Sequence, residues 1–194
     1  MSAAEGLGVD AVRVPDGIEP IVGWRYWRVD GSVLGSLTRD APWSPLRGFE
    51  AGCRLTDRHG PVPDPGCNCG VYAARDLRTL QSMATPSVRH PLAVGKVALW
   101  GRIIPAERGY RAQFGYPRRL WLVWESLEQL GRPGAQRIEI AAAYGVPVEF
   151  CDADWALSGA GGFHDERRRS TPHEHPAPPI PSLKRLARLL LGIR

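Results

Sequence analysis

Apolar and polar positions along this chain keep a strand-like rhythm in some stretches and a helix-like one in others. Residues 21–29 (IVGWRYWRV) are rich in aromatic and β-branched side chains, and the Asp30-Gly31 pair that follows is a strong turn signal. With residues 32–37 returning, the stretch predicts a β-hairpin. On its first strand Trp24 and Tyr26 share one face, and Arg25, Trp27 and Val29 the other. Residues 38–52, with Pro42, Pro45 and Gly48, predict an irregular loop pinned by Trp43. Residues 94–104 (VGKVALWGRII) predict a strand, a turn follows at 107–110, and residues 111–114 begin the return. Residues 120–124 predict another strand. Pro147 marks 146–150 as an edge strand, since proline cannot donate to a central ladder.

Helical spacing occurs in two stretches of the body, 71–83 and 135–144. The second ends at Gly145, where a left-handed conformation is cheap. The fold class this pattern predicts is α+β and β-rich: a small, barrel-like antiparallel sheet with two short helices. Beyond about residue 157 the rhythm is lost in a Gly-, charge- and Pro-rich run. Residues 183–194 then wind Leu183, Leu186, Leu189, Leu190 and Ile193 onto one helical face, with Lys184, Arg185 and Arg188 on the other. The resulting division is a flexible N-terminus over 1–19, a folded domain over 20–155, a disordered linker over 156–182 and a basic amphipathic helix over 183–194. No repeat of solenoid or propeller period is present.

Composition changes this picture in two respects. In 194 residues there is no run of eighteen apolar positions, and the N-terminus lacks a secretory h-region, so the expected address is the cytoplasm, where thiols stay reduced. All but two of the 25 Lys and Arg residues are arginine, a skew that a GC-rich genome produces unaided. Of the net charge of +5, +4 falls from Ala156 onward, which leaves the body at +1. A nearly neutral body is a poor electrostatic footprint for nucleic acid; the basicity belongs to the tail.

The densest chemistry lies in Cys53-x5-His59-x7-Cys67-x-Cys69, on a Gly/Pro-rich stretch with too few apolar residues to fold by packing alone. Thiolate and imidazole suit zinc, and four such donors predict a closed structural Zn2+ site with no coordination position left for a substrate water. The second half is Cys-x-Cys where standard fingers have Cys-x-x-Cys, so plain core thiols, a disulfide and an iron–sulfur cluster stay open as alternatives. The fourth cysteine, Cys151, is left over.

Other candidates are sparser. Trp24, Arg25, Arg28 and Arg111 read either as a stacking and phosphate-contact surface or as barrel packing with arginines laid over aromatic faces, and packing is preferred. Arg167, Arg168 and Arg169 extend the nucleic-acid alternative into the tail. No P-loop, nucleophile elbow or zincin motif is present, so an enzyme reading rests on His90, Glu107 and Arg111 sharing a pocket.

The order GWRYWRV (23–29), Cys53…His59…Cys67-x-Cys69-Gly-Val-Tyr-Ala73, ALWGRII (98–104) and GYRAQFGYP (109–117) resembles a family of uncharacterised proteins from high-GC bacteria. The resemblance spans roughly 23–150 and implies a shared fold and metal site, with no established activity to carry over. The function expected is therefore a zinc-stabilised, non-catalytic adaptor recruited through its terminal helix. That helix would dock on a protein partner, on its own body or dimer mate, or, less favoured, on a membrane surface; a homo-oligomer is not excluded.

Overall fold

The computed structural model describes residues 16–17, 19–53, 60–84, 86–128 and 131–158, all within one compact unit. Of the linker expected over 156–182, residues 159–182 lie outside the described residues, as do Arg167–Arg169 and the stretch expected as a terminal helix with Leu183, Leu186, Leu189, Leu190 and Ile193. So does His59.

Among the described residues, eight strands form one sheet. The frame is a hairpin of two fifteen-residue strands, β6 (Leu92–Ala106) and β7 (Gly109–Val123), joined by the Glu107-Arg108 turn. On its other edge, β6 pairs antiparallel with β1 (Ile21–Asp30), from Ile21↔Leu99 to Arg28↔Leu92. The first hairpin is present as predicted: β2 (Val33–Gly35) returns along β1, and the two-residue β3 (Pro42–Trp43) continues it. The free edge of β7 carries three short strands in succession. They are β5 (Val71–Ala74), β4 (Phe49–Glu50) and, parallel to it, β8 (Val148–Cys151).

This sheet departs from the evenly closed antiparallel barrel that the sequence pattern suggests. The ring β1–β6–β7–β5 closes back onto β1 through a single residue pair, Trp24↔Ala74. Gly23 makes that approach feasible, because a Cβ there would stand 2.7 Å from the Ala73 methyl and 2.9 Å from the Ala74 carbonyl oxygen. Beyond the pair, β1 and β5 splay. The Arg25 side chain spans the gap, donating to the Tyr72 carbonyl at 2.7 Å and the Ser36 hydroxyl at 3.1 Å.

Four helices occur among the described residues, two more than expected. The stretch 71–83 is not one helix. Its first four residues alternate as β5, and α1 (Leu77–Met83) begins only after Asp76, whose carboxylate accepts the Thr79 N–H at 2.7 Å as an N-cap. The expected α3 (Pro133–Tyr144) ends at Gly145 in the left-handed conformation. The helices α2 (Trp124–Leu127) and α4 (Ala153–Ser158) are too short for periodicity to reveal; α4 runs across the boundary expected at residue 155. The strands predicted at 111–114 and 120–124 are one strand. Pro117 is tolerated inside it because a register shift leaves Arg118 as an extra residue beside it.

Each face of β1 looks into a core. Trp27 and Val29 join Leu34, Trp43, Leu99, Tyr116, Ile140 and Tyr144 under α3. Tyr26 joins Leu80, Val94, Trp121, Cys151 and Ala156 under α1 and α4, with Trp24 packed at the margin.

Candidate metal centre

The register of the edge strands brings the cysteines together. β4 places Phe49 opposite Gly115 and Glu50 opposite Phe114, and the Ala51 N–H then donates to the Gln113 carbonyl at 2.8 Å. The next position on β7, Ala112, is opposite Val71. Thus Ala51 and Val71 occupy successive positions along one edge, and residues 52–70 leave and re-enter it at a single point. Cys53 lies two residues after the exit and Cys69 two before the return. The sheet has already closed this excursion, so gathering its thiols costs little further loop entropy.

Cys53, Cys67 and Cys69 present their Sγ atoms within 4.8 Å of one another. The Cys53 and Cys67 sulfurs are 3.7 Å apart. That is far beyond the ~2.05 Å of a disulfide. It matches the ~3.8 Å edge of a tetrahedron built on ~2.3 Å metal–sulfur bonds. None of the three is in a disulfide; Cys69 is buried and the others are half-buried.

The segment 64–69 is organised around them. The Asp64 carboxylate accepts the Gly66 N–H at 2.8 Å, the Asp64 carbonyl accepts the Cys67 N–H at 3.2 Å, and the Asp64 N–H points at the Cys69 sulfur at 3.4 Å. Gly70, with φ +125°, turns the chain back into β5; a side chain there would be strained and pressed against Pro63 and Arg111. The Tyr72 hydroxyl donates to the Asn68 carbonyl at 2.8 Å. From β7, Arg111 Nη1 donates to the carbonyls of Asp64 and Cys69, each at 3.3 Å, and to that of Cys67. Withdrawal from water, followed by the hydrogen bond with Cys53, pushes the Cys67 thiol up from its ordinary range; a bound cation acts in the opposite direction.

The other predicted residues are dispersed. Trp24 stacks on Trp121 at 5.3 Å, with Lys96 over its ring at 5.6 Å. Arg25 lies over Trp43 at 5.3 Å, and burial pulls its guanidinium down to about 10. Arg28 reaches Asp40 at 3.5 Å. His90 lines an open hollow with Arg28, Ser87 and Leu37 before β6 begins, whereas Glu107 stands past its far end. The structure does not bring His90, Glu107 and Arg111 together. Cys151 is a buried core thiol 3.7 Å from the Leu122 carbonyl, with burial the first cause of its raised pKa. Sequence reasoning missed the roles of Arg111 and Asp64 in holding the cysteine segment. Asp64-Pro-Gly66 carries a turn signal that could have pointed to the segment, but nothing local ties Arg111 to it.

No family model matches the chain, and neither the curated proteins nor the solved structures contain a match. That outcome agrees with the resemblance to a family without an established activity. Among the described residues no helix is long and apolar enough to cross a membrane.

Proposed function

We propose that this protein is a zinc-stabilised, non-catalytic interaction module, in which a single metal ion staples residues 52–70 to the edge of β7. The observation that carries the reading is the convergence of three thiols within 4.8 Å of one another, with Cys53 and Cys67 3.7 Å apart, close to a tetrahedral edge. Three soft donors favour zinc over the hard cations. His59, within the same excursion, is the proposed fourth ligand and would close the coordination sphere to substrate. The role is structural for a physical reason: the excursion is poor in apolar side chains, so its order must come from the metal and from hydrogen bonds. The tryptophans and arginines of β1 are engaged in packing, which leaves recruitment to residues 183–194.

Elemental analysis of purified full-length protein tests this. About one zinc per chain is expected, lost in Cys67→Ser. Chelation of the wild type is expected to lower its melting temperature by about 5–10 °C, the linkage effect of a ligand held near a hundredfold above its dissociation constant. A wild-type protein that takes up no zinc when supplied with it overturns the reading.

A further inference from the structure

Arg111 occupies an unusual position. It is half-buried, it extends from β7 opposite Tyr72, and among the described residues it forms no ion pair with any carboxylate. Its Nη1 instead gathers three backbone carbonyls, those of Asp64, Cys67 and Cys69. Two belong to cysteines of the cluster, and the third belongs to the residue whose N–H points at the Cys69 sulfur. Charge accounts for the choice of residue. Three thiolates around a dication leave a net negative complex, and a fixed cation beside it offsets that charge where water does so poorly.

We infer that Arg111 is the positioning residue of the metal centre. It holds Cys67 and Cys69 in the geometry that meets Cys53 and supplies the countercharge of the loaded site. The inference rests on the metal reading above and adds to it a determinant outside the ligand set, on a different strand and some forty residues away in sequence. The Gly70 backbone lies close enough that a Cβ there would stand 3.2 Å from the Arg111 Cβ, so the stem of this side chain is also part of the turn that delivers Cys69.

The test uses full-length protein and Zn2+ alone, with affinity measured by competition against a chromophoric chelator, and Co2+ as a spectroscopic probe of thiolate geometry. Arg111→Met is expected to weaken zinc binding about 10- to 100-fold, the usual cost of losing an outer-shell partner, and to change the Co2+ spectrum. Arg111→Lys keeps the charge and is expected to recover part of the affinity. It also serves as the test if the methionine variant does not fold. Equal zinc affinity and an unchanged Co2+ spectrum in either folded variant would overturn the role of Arg111. Failure of the wild type to bind zinc would instead remove the metal reading itself, so the two failures are distinguishable.

Discussion

Tyr144 has no exposed surface, yet its hydroxyl does two jobs: it accepts the Leu34 N–H at 2.8 Å and donates to the Trp43 carbonyl at 2.6 Å. One phenol on α3 thereby holds β2 and β3, whose own pairing is only two residues long. Tyr144→Phe leaves both backbone groups buried without that partner, at a cost of about 2–4 kcal/mol, which should appear as a fall in melting temperature of about 5–15 °C. The hydroxyl also gives a pH signature. Burial pushes Tyr144 up to about 12 from 10.0, and Tyr26 likewise. The folded state holds these protons more tightly than the unfolded chain, so their contribution is complete below pH 10 and is lost as pH rises from 10 through 12. Urea midpoints across that range should fall less steeply in Tyr144→Phe than in the wild type; equal slopes would contradict the assignment. At this scale the clustered cysteines were legible, because residue type and spacing are local properties. Arg111 was not. Its partners are chosen by the β5–β7 register, which no local window contains.

Among the elements, β5 depends heavily on its neighbours. It has four residues, a full ladder only with β7, and one pair with β1. Its N-terminal end is continuous with the cysteine segment, so Arg111, and the proposed metal with it, would anchor β5 from outside the sheet. Removing the metal should therefore raise amide hydrogen exchange in Val71–Ala74 while the central pairs of β6 and β7 stay protected. Unchanged protection in β5 on chelation would show that the sheet holds this strand unaided. The sequence reading merged this strand with the helix after it because Val71 to Met83 contains no Gly or Pro to divide them; the break is made by Asp76 as an N-cap. It also split β7 between 114 and 120, a stretch that holds Pro117, which a bulge accommodates. Short helices such as α2 and α4 have too few turns to leave a periodic trace.

For the molecule as a whole, a folded body and a basic C-terminal segment make separable predictions. A chain ending at residue 182 should keep its zinc content and melting temperature, yet differ from the full chain in cellular distribution or sedimentation. Identical behaviour in both measurements would count against recruitment through residues 183–194. The β-rich character was legible from aromatic and β-branched runs, whereas the uneven closure was not, since it depends on which strand meets which edge. The β6–β7 hairpin carries one more consequence, in the order of folding. Its fifteen-residue arms meet across a two-residue turn, so it can zip with almost no chain to close. The ring closure between Trp24 and Ala74 spans fifty residues of chain by comparison. A newly made chain would assemble this arm as its template and lay β4 and β5 along it. Only then would the three cysteines stand close enough to compete for an ion, so the proposed metal capture would be a late checkpoint on a nearly finished fold.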